Sequence, residues 1–145
     1  MLPLLEVEEA KALLQEAMDW SIWQWLFEKG RVRRMADRGT AALNELDKKV
    51  RASWRSDLKK AYRALETQSP NKVDGIEQQI KLAARKVKQA HDEADRARIE
   101  AEETFDEAER TLSASLAREG ARLAIAAYDL REQAIRKAEA AGRHG

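Results

Sequence analysis

The chain has 145 residues, with 27 Lys and Arg, 26 Asp and Glu, two prolines, six glycines and no cysteine. The lack of cysteine excludes disulfides, thiolate metal sites and a cysteine nucleophile, and a formal net charge of +1 creates no whole-molecule field demanding an acidic or basic partner. Charged residues make up 37% and aromatics 6%, a composition typical of long helices and coiled coils.

An apolar stripe at helical spacing runs through nearly the whole chain, which separates it from equally charged disordered sequences. The length suits one domain. The expectation is therefore a single all-helical domain over 1–145, with helices at about 4–29, 31–66 and 73–140. Its fold class is all-α, a long antiparallel helical hairpin or coiled coil. The competing architectures are a three-helix arrangement with a break at Gly30 and an extended dimeric coiled coil.

The N-terminus, Met1-Leu2-Pro3-Leu4-Leu5-Glu6, turns acidic before a signal-peptide core can form. The uncharged run from Trp20 to Phe27 is too short to span a bilayer. Both point to a complete, cytoplasmic protein. The first segment carries Leu14, Met18, Ile22 and Trp25 at helical spacing, and its apolar stripe widens over Trp20, Ile22, Trp23, Trp25, Leu26 and Phe27. These six cover most of the helix circumference, so a single partner helix cannot bury them all. They are either a local core or a protein interface, since Trp is enriched at interface hot spots. Membrane-surface insertion is disfavoured by the acidic flanks Glu16, Asp19 and Glu28.

Gly30 either caps this helix in the αL conformation or lies inside a continuous one at about 1 kcal/mol relative to Ala. The second segment places Val32, Met35, Leu43, Leu46, Val50, Trp54, Leu58, Tyr62 and Leu65 on one seam. Thr67-Gln68-Ser69-Pro70-Asn71-Lys72 is the clearest break. Asp74-Gly75-Ile76-Glu77 offers a capping box for the next helix, and Pro70 at N1 would also serve. The third segment repeats apolar or small residues for five heptads, then shifts register and continues through Leu116, Leu123 and Leu130. That shift has the form of a stutter. As one helix, this segment would be about 105 Å long and would need a partner.

Folding back at Ser69 makes antiparallel neighbours sum to about 138. Large Leu43, Leu46, Val50 and Trp54 then face small Ala83, Ala90, Ala94 and Ala97. Basic Lys29, Arg31, Arg33, Arg34 and Arg38 face acidic Glu100, Glu102, Glu103, Asp106, Glu107 and Glu109. Residues 1–28, with six acids and one base, face residues 110–137, with six bases and three acids. Residues 48–91 hold twelve bases and four acids, a local charge of +8 against −7 for the rest.

The function expected from these features is that of a non-enzymatic coiled-coil structural or interaction protein. It self-associates, or docks to a helical partner, through Trp20, Ile22, Trp23, Trp25, Leu26 and Phe27. The alternative is binding of nucleic acid or another acidic polymer by the basic hairpin tip, through Lys48, Lys49, Arg55, Lys59, Lys60, Arg63, Arg85, Lys86 and Lys88. The two histidines, His91 and His144, lack the Glu-x-x-His pairs of bundle metal sites, and His91 reads as a flank residue beside the alanine seam. Ser113 and Ser115 have no base nearby, and there is no glycine-rich phosphate loop. No catalytic residue, metal or cofactor is expected.

Overall fold

The computed structural model describes residues 4–65 and 70–142. They form four helices: α1 (Leu5–Ala17), α2 (Ile22–Leu65), α3 (Pro70–Thr111) and α4 (Ala114–Gly142). The protein is all-α, and α2 and α3 run antiparallel as a hairpin. Asp47 on α2 meets His91 on α3, a pair whose numbers sum to the expected 138. Arg33 reaches Asp106 and Glu109, and Lys29 also reaches Glu109.

Two of the expected helices are each divided by a turn, and both turns are made by serine. The first segment does not continue to Lys29. Helix α1 stops at Ala17, and Met18, Asp19 and Trp20 donate backbone N–H bonds to Gln15, Glu16 and Ala17 carbonyls in a tightening last turn. Ser21 then caps α2. Its Oγ accepts the backbone N–H of Gln24 at 3.2 Å, and its carbonyl accepts that of Trp25 at 3.0 Å. Gly30 lies inside α2, so it is neither a cap nor a break. The continuous ladder on both sides outweighs its poor helix propensity.

The expected helix over 73–140 is likewise two helices. The apparent stutter is a reversal at Leu112 and Ser113. Leu112 takes the left-handed conformation, φ 53°, and the Ser113 N–H donates to the Ala108 carbonyl at 3.1 Å, the longer bond of a Schellman motif. Ser113 Oγ accepts the Leu116 N–H at 3.2 Å and starts α4. Residues 67–69 of the expected turn lie outside the described residues. Its remainder belongs to α3, which begins at Pro70, a first-turn position where the missing N–H costs nothing. Asp74 is within α3 rather than at its cap.

Helix α4 folds back along α3 and also packs on α2 and α1, while α1 packs on α2. The close approach of α3 and α4 depends on Gly120, where an added Cβ would sit 2.6 Å from Phe105 Cδ1. That of α2 and α4 depends on Gly39, where a Cβ would sit 2.8 Å from the Tyr128 hydroxyl. Tyr128 uses that hydroxyl to donate to the Ala36 carbonyl at 2.5 Å. Between the helices lie Val7, Leu13, Leu14, Trp25, Leu43, Phe105, Tyr128 and Ile135. Trp25 stacks on Phe105 with centroids 4.6 Å apart and planes 14° apart. Full burial of each such side chain is worth about 1.5–3 kcal/mol.

The charge pairing expected between residues 1–28 and 110–137 is reversed where it is seen. Lys11 on α1 pairs with Asp129 and Glu132 on α4 at 2.8 and 3.1 Å, while Glu6, Glu8, Glu9 and Glu16 are exposed. The pairing lies near the expected register, since 11 and 129 sum to 140, but with the signs exchanged. Burial works against the Lys11 charge, but its bonds to Asp129 and Glu132 outweigh it and raise its pKa above the ordinary lysine value.

The helices end at different levels. Arg131 pairs with Asp95 and Asn44, a register that brings the end of α4 level with the regions of Ala84 and Arg55. Beyond that level α2 and α3 extend past α4, leaving a four-helix base and a two-helix arm roughly 15–20 Å long.

Candidate functional site

Three surfaces of this scaffold carry chemistry, and the first is the aromatic region where α2 begins. The turn at Met18–Ser21 divides its six residues by face. Trp20 and Trp25 are core residues, and Ile22 and Leu26 pack half-buried against that core. Trp23 and Phe27 point away, 70% and 86% exposed. They are one helical turn apart, and Gly30 and Arg34, both exposed, continue the same face. The remaining apolar surface is therefore narrow, and it belongs to α2 alone.

The second surface is the basic tract that runs from the upper base into the arm. Lys48, Lys49, Arg55, Lys59, Lys60, Arg63, Arg85, Lys86 and Lys88 are all exposed. Arg51, Arg55, Lys59 and Arg63 follow one another at intervals of four, about 6 Å apart along α2. Of the cations between 48 and 88, Lys48 and Arg51 have carboxylate partners among the described residues, Glu45 and Asp47. In the base Lys11, Lys29, Arg31, Arg33, Arg98, Arg110, Arg122 and Arg131 are paired, while exposed Arg34, Arg38, Arg96, Arg118, Arg136 and Lys137 have no carboxylate partner among the described residues.

The third surface is a cleft of about 710 Å³ between α2, α3 and α4. Its cause is a mismatch of size. Ala94 and Ala101 on α3 and Ala124 and Ala127 on α4 form one wall. The large residues of α2 do not fill the gap, because α2 packs closely on α4 rather than on α3. Leu43 and Phe105 complete the apolar lining. The size complementarity expected from sequence thus ends in an opening.

At the polar end of the cleft each of the three helices contributes a side chain. Asp47 and His91 are both 95% buried. His91 Nε2 is 3.3 Å from Asp47 Oδ1, close enough for charge interaction but not aligned as a hydrogen bond. Asp47 Oδ2 lies 3.1 Å from Arg51 Nε and 3.5 Å from an Arg131 Nη. Arg131 also donates to Asn44 Oδ1 at 2.9 Å and to Asp95 Oδ1 at 3.3 Å. Four buried polar atoms at this end of the cleft have no hydrogen-bond partner among the described residues: Asp47 Oδ1, His91 Nδ1, His91 Nε2 and Arg131 Nε. Burial pushes the His91 pKa below the usual histidine value; the charges of Arg51 and Arg131 push the same way, against Asp47 and Asp95. Burial thus favours the neutral imidazole of His91.

His91 is accordingly a cleft residue rather than a flank residue. The signal available in sequence was that its neighbours Ala90 and Ala94 lie on the α3 seam. Nothing in the sequence indicated that Arg131 would return to it, because the reversal at Leu112 was not foreseen. His144 lies outside the described residues, and Ser113 serves as a cap. Among the described residues, no group of three or more His, Asp or Glu is placed to hold a metal ion, and no helix is long and apolar enough to cross a membrane. Comparison with family models, curated proteins and solved structures finds no significant match, so the functional reading rests on this geometry.

Proposed function

We propose that this is a non-enzymatic, cytoplasmic interaction protein that self-associates through the exposed face of α2. The observation that carries the reading is the pair Trp23 and Phe27, held out at 70% and 86% exposure beside a core that takes the other two tryptophans of the region. That face is self-complementary. In a two-fold pair of antiparallel α2 helices whose numbers sum to 57, Phe27 of each copy meets Gly30 of the other, and Trp23 meets Arg34. The large ring lies over the residue with no side chain, and the guanidinium lies over the indole, a contact worth about 0.5–2 kcal/mol. Two-fold symmetry makes each contact twice.

Sedimentation equilibrium tests this directly. The native chain is expected to dimerise, and Phe27→Ala or Gly30→Leu to shift it toward monomer by tenfold or more in Kd with helicity retained. A native chain that stays monomeric at high micromolar concentration overturns the reading.

A second reading is supported by the arm. Its exposed cations beyond Arg51, for which no carboxylate partner is found among the described residues, suit a polyanion, with nucleic acid the natural candidate, and binding there releases counterions. The expected result is binding to a mixed-sequence DNA duplex that weakens steeply with added salt and is lost in Lys59→Glu/Lys60→Glu. No binding at low salt removes this reading without touching the first.

A further inference from the structure

We infer that the cleft between α2, α3 and α4 binds a small neutral molecule with an apolar body and a hydroxyl or amide head. This goes beyond self-association and uses different residues. The volume, about 710 Å³, lies within the range of small-molecule pockets, which in bundles form between helices. The apolar body is called for by the wall of Ala94, Ala101, Ala124 and Ala127 with Phe105 beside it.

The head group follows from a difference between two balances. The charges of the cleft are matched: Arg51 and Arg131 share Asp47, Arg131 also holds Asp95, Arg98 holds Glu102, and Lys48 holds Glu45 outside the lining. A charged ligand would find no counter-ion left there, and a buried unpaired charge is costly. The hydrogen bonds are not matched. Rotating the neutral imidazole to donate from Nε2 to Asp47 Oδ1 satisfies both of those atoms. It leaves His91 Nδ1 as an acceptor and Arg131 Nε as a donor, each buried. An amide or a hydroxyl offers one donor and one acceptor in return, and leaving such atoms unmet costs about 1–3 kcal/mol. The three groups come from three helices, so the site exists only in the assembled base.

The experiment uses the full chain labelled with ¹⁵N at histidine, titrated with benzamide and with its charged counterparts, benzoate and benzylamine. Benzamide is expected to shift the His91 ring signals saturably and to bind about tenfold or more tightly than either ion, a difference of about 1.4 kcal/mol. Ala127→Leu, which fills the apolar wall and leaves every polar group in place, is expected to abolish the shift with helical content retained. Ala124→Leu provides a second filling variant should the first lose helicity. The proposal is overturned if none of the three compounds moves the His91 signals up to its solubility limit, in which case water alone meets these atoms. It is equally overturned if an ion binds as tightly as benzamide, or if folded filling variants bind as the native chain does.

Discussion

The base and the arm are built from the same two helices, yet they solve different problems. In the base, α2 and α3 surround their apolar seam with two further helices, and their charges are neutralised across helix boundaries, as in Lys11 with Asp129 and Arg33 with Glu109. In the arm the same helices have only each other. Past Val50 and before Val87, Trp54, Ile80 and Ala83 are half-buried and Leu82 is exposed. A two-helix pair covers one stripe of each helix and leaves the remainder to solvent. Such a segment has little packing to lose and can hold a row of like charges at small cost to the fold. The base instead ties many of its cations to its own acids.

The sharpest way to break this contrast is to remove one tryptophan from each region. Trp25→Ala is expected to cost about 3–5 kcal/mol in urea unfolding, because it empties the centre of the base and leaves Phe105 without its stacking partner. Trp54→Ala removes a half-buried ring and is expected to cost about 1–2 kcal/mol. Equal losses would mean that arm and base share one core. Glycine substitutions probe the same difference with smaller effects. Gly120→Ala drives a Cβ into Phe105 and is expected to destabilise by about 1–3 kcal/mol. Gly30→Ala meets only the end of the Arg34 side chain, at 3.4 Å, and is expected to stabilise by about 0.5–1 kcal/mol through helix propensity. The smallest effect is acid sensitivity at the boundary of the two regions. His91, facing Asp47, Arg51, Asp95 and Arg131, has a pKa lowered by burial. As pH falls through about 6.5 the unfolded chain takes up the proton first. Stability therefore declines from there down to the folded pKa, and His91→Gln is expected to flatten that part of a urea-midpoint profile.

Much of the fold could be read from residue order. The seam from Val32 through Val50 and the acidic run from Glu100 to Glu109 placed α2 against α3 in register, because periodicity and charge are local properties. The two turns were harder. Ser21-Ile22-Trp23-Gln24 carries the spacing of a capping box, but it sits inside an apolar run whose periodicity masks it. Gly30 drew attention as a breaker, though tertiary packing readily absorbs one glycine. Leu112 gave no warning, since a β-carbon in the left-handed region is disfavoured and glycine is the usual residue there. The divided tryptophan cluster and the cleft both follow from these turns, so neither could be read before the turns were known.

Helix α4 touches each of the other three and follows all of them along the chain. During translation, at about 5–20 residues per second, α2 and α3 emerge about 1.5–6 seconds before the last residue of the element that seals the base. The nascent chain therefore passes through a stage in which Trp25, Leu43 and Phe105 await the cover that α4 brings.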